Sequence, residues 1–468
     1  MKVVCIGAGY VGSVTGTALA ANGHQTTVVD IDPDKMDRLN RGESPIFEPG
    51  MDTLVPELIG KSLFATNSYD PVADAEIIFI AVGTPSGADG SADLRYIKAT
   101  AKQIGKHLSS DRFTVIAMKS TVPVGTADLV TAILAEASGL TAETHFTVVS
   151  NPEFLREGYA LEDVFFPDRI VIGSVHPQGL KQMRQLYQNL VAREGYERLT
   201  PHFAFQYDLN APRANYFETD TKSAELIKYA SNAFLAVKIS YINEVARLCE
   251  VIGGNVQDIA AGMGMDSRIG HKFLQVSSGW SGSCFPKDTA EILSTSEKYG
   301  SELMVVKAAV ASNERMHMHV VEKLIRRLKS LNGKRIGILG LSFKPNTDDA
   351  RKTQASFIIE KLLERGALVR VHDPQGMSMF RALNPDFPIE YCHDPIQTGR
   401  LADAVLLLTH WQEYQEIDWH QLASLMRQPY VLDTRNFLNP TEIQKANIHY
   451  EGMGVSEQPI SPVGVIGQ

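Results

Sequence analysis

An α/β fold with two doubly wound parallel-sheet domains joined by a long-helix central domain is predicted by three features of this sequence. Short β-branched runs alternate with helical patterns through roughly the first 200 residues, which reads as a parallel sheet covered by helices. A long stretch from about Thr219 then carries apolar residues at spacings of three and four with little strand signal, and near Lys334 the strand and helix alternation restarts. A length of 468 residues holds about three domains of ordinary size. The expected divisions are 1–212, 213–315 and 316–450, with 451–468 as a loose tail.

The first region places strands at Lys2 to Ile6, Gln25 to Asp30, Glu76 to Val82, Thr114 to Met118 and Thr147 to Ser150. The central helix is read from apolar residues at Ile227, Ala230, Phe234, Val237, Tyr241, Val245 and Leu248, taken as one core-facing stripe. Val320, Val321, Leu324, Ile325 and Leu328, set among charges, predict a connecting helix over Ala311 to Leu331. In the last region Arg335 to Leu339 forms a strand that turns at Gly340, and Leu368 to His372 forms another that ends at Asp373. After Tyr450 the chain becomes rich in Gly, Pro and Ser without periodicity, hence the predicted tail.

The 45 basic and 54 acidic residues give a net charge of -9, which argues against a broad surface for nucleic acid or an anionic membrane. Apolar runs such as Ile77 to Val82 are too short to span a bilayer. Met1 leads straight into a strand pattern with no export signal, so a cytoplasmic protein is expected. The four cysteines, Cys5, Cys249, Cys284 and Cys392, have neither disulfide-framework nor metal-ligand spacing, which fits a reducing compartment and gives no sign of zinc.

Gly7-Ala8-Gly9-Tyr10-Val11-Gly12 lies between the first strand and the helical run Ser13 to Ala21. Its three glycines suit a tight turn, close backbone approach to a pyrophosphate, and close packing of helix on strand, with the helix N-terminus facing the phosphates. A second strand ending at Asp30 puts a carboxylate where it can accept both adenosine-ribose hydroxyls, which points to NAD rather than NADP and to a Rossmann-like domain. The plainer alternative is that the glycines serve a turn and Asp30 caps the next segment.

Gly279 to Asp288 (G-W-S-G-S-C-F-P-K-D) sets Cys284 in a Gly/Ser loop before a helical stretch from Thr289 to Tyr299. A helix N-terminus and Lys287 both favour a thiolate, making Cys284 the best nucleophile candidate, against the alternative of a small core residue. Lys228 and Asn232 share one face of the central helix, and Glu153 and Glu157 stand four apart in Asn151 to Gly158. By themselves these four read more simply as a solvated lysine, a helix-surface asparagine and a surface turn of helix.

Taken in order, these segments resemble the UDP-glucose 6-dehydrogenase family and its relatives acting on GDP-mannose and UDP-N-acetylhexosamines. The resemblance runs from residue 1 to about 440 and includes Gly7 to Gly12, Glu48-Pro49-Gly50, Gly83-Thr84-Pro85, Lys119 to Thr126 and Asn151 to Gly158. It continues through Lys228 to Phe234, Gly264 to Gly270, Gly282 to Asp288 and Phe343 to Arg351. It implies Rossmann-like domains at both ends, the last binding UDP.

The resemblance assigns an NAD site to Gly7, Gly9, Val11, Gly12, Asp30, Lys35, Thr84, Thr121, Glu157, Lys287 and Arg351. It assigns sugar-nucleotide contacts to Phe154, Leu155, Arg156, Glu157, Lys228, Asn232, Phe273, Leu274, Ser281, Phe343 and Lys344, with Arg435 a further candidate. Arg268 resembles an arginine that reaches a neighbouring subunit's substrate, which implies a homodimer or larger homo-oligomer. The implied chemistry is oxidation of the C6 alcohol of UDP-glucose to a carboxylate through a thiohemiacetal and thioester on Cys284, with two NADH per product. Lys228 and Asn232 are implied to stabilise the oxyanion, Asp288 and Thr121 to order a water, and Glu153 to assist hydrolysis.

The chain departs from the family wording in places. Ser281 stands at a usual glycine, a change that requires a negative φ. Val191 to Phe217 is long, Ala350 and Lys352-Thr353-Gln354 differ around Arg351, and Asp433-Thr434-Arg435 lacks a common glycine. Phe285 resembles the UDP-glucose branch. The competing readings are the same chemistry on another nucleotide sugar, a two-electron hydroxyacid dehydrogenase, which would need neither Cys284 nor a second α/β domain, and a non-catalytic NAD-binding regulatory protein.

Overall fold

A computed structural model of the chain describes residues 1–455. Its backbone contacts divide it into two compact units, Met1–Ser231 with Ala290–Ser301, and Asn232–Thr289 with residues from Glu302 onward.

The first unit is built on eight strands: β1 (Lys2–Ile6), β2 (Gln25–Val29), β3 (Leu63–Thr66), β4 (Ile77–Ile80), β5 (Thr114–Met118), β6 (Phe146–Ser150), β7 (Arg169–Gly173) and β8 (Asn215–Thr219). They lie in the order β3-β2-β1-β4-β5-β6-β7-β8, parallel throughout except between β6 and β7. Both faces are covered, so β4 and β5 are buried along their whole length and read as continuous apolar runs. The period of two is still visible in the packing. Val3, Cys5, Ile77 and Phe79 enter one buried cluster, and Val4, Ile6, Ile78 and Ile80 the other.

The second unit repeats the plan on six parallel strands: β9 (Arg335–Leu339), β10 (Leu368–His372), β11 (Glu390–Tyr391), β12 (Ala404–Leu407), β13 (Tyr430–Asp433) and β14 (His449–Glu451), in the order β11-β10-β9-β12-β13-β14. One face packs on the helices Met304–Leu328 and Gln354–Leu363, where Val320, Leu324, Ile358 and Leu362 meet Ile336 and Ile338. The other face buries Leu339, Val405 and Leu407 with Trp411 and Trp419. Both sheets have the doubly wound order in which ligands bind beyond the carboxyl ends of the strands.

The central helix runs from Thr221 to Ile252. It does not carry the single core-facing stripe that its spacing predicts. Ile242, Ala246 and Cys249 are buried, whereas Phe234, Tyr241 and Leu248, seven residues apart in turn, are 63%, 52% and 55% exposed. The connecting helix starts at Met304, earlier than expected.

The stretch 191–217 is organised by its aromatics. Phe166, Tyr196, Phe203, Phe205 and Tyr207 pack edge to face and stacked, and the Arg193 guanidinium donates to the carbonyls of Leu209, Ala211 and Pro212. The predicted loose tail begins too early. Glu451 ends β14, Met453 is fully buried, the Gly454 N–H donates to Glu250, and Val455 bridges to Asn255. The rest of that prediction, 456–468, lies outside the described residues. No helix among the described residues is long and apolar enough to cross a membrane.

Candidate active site

The glycine turn after β1 has the geometry a dinucleotide needs. Gly7 has φ +107°, and a Cβ there would lie 2.6 Å from the Ala81 carbonyl oxygen. A Cβ on Gly12 would lie 1.8 Å from the Gly7 oxygen, so only glycine lets the helix Tyr10–Ala21 start this close to the strand. A Cβ on Gly9 would meet nothing within 4 Å, leaving open space at the helix N-terminus for a phosphate's close approach. The Asp30 carboxylate accepts from Ala8 N at 2.6 Å and Asp32 N at 3.0 Å, and Lys35 stands 3.9 Å away. That side chain stays 14% exposed, so acceptor capacity remains for ribose hydroxyls. Val11 is half-buried in the first turn of that helix.

Beyond the carboxyl ends of β4, β5 and β6, the first unit gathers a charged group that the sequence reads as surface. Glu153 does not lie on a helical turn. It sits in a loop, 6% exposed, with an oxygen 2.8 Å from Lys228 Nζ, and Lys228 is 3% exposed. Burial alone would raise the Glu153 pKa. The Lys228 ammonium, the Leu155 N–H and Lys119 outweigh it and hold the carboxyl below its ordinary range. Lys119, also buried, is pushed down to about 8, mainly by desolvation, with Lys228 adding to the fall. The Phe154 ring lies under Arg169 at 3.9 Å and Lys228 at 5.5 Å.

Thr84 Oγ1 donates to the Thr121 carbonyl at 2.8 Å, fixing the loop after β5. Thr121, Glu225 and Lys228 line a cavity of about 10 Å³, the size of one water.

Glu225 was not a candidate from sequence. It is 3% exposed and accepts from Gly125 N at 2.7 Å and Ala127 N at 2.9 Å, at the start of the helix Thr126–Ser138, and desolvation pushes its carboxyl up to about 7. Lys119 was also missed, as was Asn151, whose Oδ1 accepts from Tyr187 at 2.5 Å and Lys119 at 3.4 Å. Both open motifs the sequence displays. Glu48 explains another motif, since its carboxylate accepts from Gly158 N and Ala160 N, each at 2.6 Å, and so ties Glu48-Pro49-Gly50 to Asn151–Gly158.

The second unit holds the thiol. The helix Phe285–Lys298 begins four residues earlier than predicted, with Pro286 in its first turn where no backbone N–H is required. Cys284 is half-buried immediately before it, and its carbonyl accepts from Asp288 N at 2.8 Å. The Asp288 side chain is 1% exposed and held from two sides: Asn232 Nδ2 donates at 2.6 Å, and Lys287 Nζ lies 2.6 Å from the other oxygen. Asn232 is 7% exposed, not a surface residue. Upstream, Asn313 grips Trp280 through both backbone groups, accepting from its N–H at 2.7 Å and donating to its carbonyl at 2.9 Å. Ser281 is not among the residues with positive φ, so the expected condition for a serine there is met.

Other candidates scatter. Phe273, at φ +65°, packs its ring 6.3 Å from that of Phe285, and Leu274 is buried. Phe343 and Lys344 are half-buried in the loop after β9. Arg435 is half-buried, donates to the Leu408 carbonyl at 2.7 Å, and is lowered to about 10, chiefly by desolvation. Arg156, Arg268 and Arg351 are each exposed and turned onto a neighbouring carboxylate, Asp163, Asp266 and Asp349. Glu157 is half-buried in the loop beside Glu153.

A doubly wound sheet with an open glycine turn, a strand-end Asp and buried acid-base groups defines an NAD-dependent dehydrogenase. Residues 1–191 match the NAD binding domain of the UDP-glucose/GDP-mannose dehydrogenase family, 222–315 its central domain and 337–440 its UDP binding domain, and the chain belongs to that family. It is 42% identical over 460 residues to a UDP-glucose 6-dehydrogenase of Rhizobium meliloti (strain 1021), covering 97% of this chain and 99% of that one. Against a UDP-glucose 6-dehydrogenase of Bacillus subtilis (strain 168) the identity is 39% over 468 residues, covering all of both chains. A solved UDP-glucose dehydrogenase from Pyrobaculum islandicum superposes with a TM-score of 0.85 at 38% identity, covering 96% of this chain and 97% of that one.

Proposed function

We propose that this chain oxidises the C6 alcohol of UDP-glucose to the carboxylate of UDP-glucuronate in two steps on one enzyme. The observation that carries the reading is the Cys284 group: a half-buried thiol at a helix start, beside an Asp288 carboxylate fixed by Asn232 and Lys287. A simple alcohol dehydrogenase has no use for such a thiol. The names of the relatives supply UDP-glucose as the substrate to test first.

Gly7, Gly9, Gly12 and Asp30 would hold NAD, which would supply the hydride acceptor for each oxidation. The other steps belong to this chain's side chains. Lys228 and Asn232, one turn apart on the central helix, stabilise the alkoxide as the alcohol loses its proton to water held by Asp288. Cys284 adds its sulfur to the aldehyde carbon, giving a thiohemiacetal; loss of hydride and proton leaves a thioester. Glu153, kept ionised by Lys228, takes a proton from the water that attacks the thioester, and the C–S bond breaks to return the thiol and release the carboxylate.

The division 1–212, 213–315 and 316–450 then separates NAD binding, assembly and UDP binding. We place a homodimer contact on the central helix, where Phe234, Tyr241 and Leu248 form an exposed apolar stripe with a heptad spacing. A catalytic thiol that stays reduced fits a cytoplasmic setting.

The test is to supply UDP-glucose with excess NAD and count NADH per sugar consumed, in the wild type and in Cys284→Ser. Two NADH per sugar, falling to one or none in the variant, are expected. Full stoichiometry in the variant would sink the thioester route, and turnover on GDP-mannose alone would reassign the substrate.

A further inference from the structure

We propose that Ser281 and Gln354 form a positioning pair that sets the loop presenting Cys284. The inference rests on the reading of Cys284 as the nucleophile. Trp280 is fixed by Asn313, and Cys284 caps the helix Phe285–Lys298, so Ser281, Gly282 and Ser283 are the stretch that decides where the thiol sits. Two contacts from one segment hold that stretch. The Ser281 hydroxyl donates to Gln354 Oε1, and Gly282 N donates to the Lys352 carbonyl at 3.2 Å.

The segment is itself built for this. Gln354 is 1% exposed, and its amide donates to the Leu408 carbonyl at 3.3 Å, so one buried side chain bridges the end of β12 to the nucleophile loop. Lys352 takes φ +46°, a region a lysine enters at a cost of about 1 kcal/mol, in the residue whose carbonyl receives Gly282. Gly282, at φ +88°, leaves no room for a side chain, since a Cβ on it would lie 2.6 Å from the Phe343 ring. A glycine at 281 has no hydroxyl for Gln354, and without the serine a buried amide oxygen loses its partner.

The Ser281 hydroxyl is bonded to Gln354 and neither side chain takes part in the bond changes proposed at Cys284, so loss of the pair misplaces the thiol without removing it. The glycine turn and Asp30, which would hold the NAD pyrophosphate and ribose, lie in the other unit and are untouched by either change. The experiment compares Ser281→Ala, Gln354→Leu and the double variant by kcat, by KM for NAD and for UDP-glucose, and by the rate of Cys284 alkylation with iodoacetamide. Each single change is expected to lower kcat about 5–10-fold with KM for NAD unchanged, and to change the alkylation rate by a similar factor.

The double variant is expected to be no worse than the worse single, because the two residues act through one bond. Ser281→Thr, which keeps a hydroxyl, is expected to stay within about 2-fold of wild type. Losses that multiply in the double variant, or singles with wild-type kcat and alkylation, overturn the pair; should Gln354→Leu fail to fold, the contrast between Ser281→Ala and Ser281→Thr decides alone. Full NADH stoichiometry in Cys284→Ser would overturn the nucleophile reading instead, and the alkylation data separate that failure from this one.

Discussion

The two sheets share a strand order and even a turn, yet only one turn can take a dinucleotide. Gly7 and Gly340 have φ +107° and +100°, and each N–H donates to the last residue of the neighbouring strand, Val29 at 2.7 Å and His372 at 2.8 Å. Each second strand is followed by an aspartate, Asp30 and Asp373. Beyond that point they part. After Gly7 a helix begins at Tyr10, so its N-terminal N–H groups stand ready for phosphate; after Gly340 the chain is irregular until Gln354.

Asp30 accepts two backbone N–H groups and keeps 14% of its side chain open. Asp373 is fully buried under six donors, from Leu341 N, Ser342 N, Ser342 Oγ, Gln375 N, Gly376 N and Trp411 Nε1. The same topology thus makes a cofactor site in one unit and a sealed joint in the other. The difference lies in the turn and helix that follow the first strand of each sheet.

The largest effect expected from this contrast is on stability. Asp373→Ala strands buried N–H groups and should cost the second unit about 4 kcal/mol, read as a fall in its urea midpoint, while KM for NAD holds. If the variant is as stable as wild type, Asp373 is no joint. Next comes Gly9→Val, which fills the open space at the helix start; NAD affinity should fall about 100-fold with little change in melting temperature. A melting loss with retained affinity would mean the space belongs to packing. Asp30→Ala should be milder, raising KM for NAD about 10-fold or more and narrowing the preference over NADP.

Much of this contrast was legible in the sequence. The strands at 2–6, 114–118, 335–339 and 368–372 stand where the apolar and β-branched residues put them, because both faces of each sheet are covered. β3 and β8 escaped notice since they are partly exposed and without clear alternation. The acid-base groups were named but misjudged in setting. Lys228, Asn232 and Glu153 have the composition of a solvated surface, and only long-range folding supplies the partners that let them be buried. Glu225 left no trace at all, since its partners are backbone N–H groups of Gly125 and Ala127, 100 and 98 residues away, which no side-chain pattern encodes.

That carboxyl gives the smallest and most diagnostic difference between the units. Burial raises the folded pKa of Glu225 to about 7, above its value of about 4.5 in the unfolded chain. The folded state therefore keeps a proton between those values that the unfolded state has released. Its contribution to stability is full below pH about 4.5 and is lost as pH rises through about 7, a swing on the order of 1–3 kcal/mol. Glu225→Gln, which cannot titrate, should flatten that part of the first unit's urea midpoint against pH and leave the second unit's curve unchanged. An unaltered slope would mean that the carboxylate's two backbone N–H donors offset its burial. Glu225 would then be ionised throughout the window, a fixed anion at the start of the helix Thr126–Ser138 and not a titrating one.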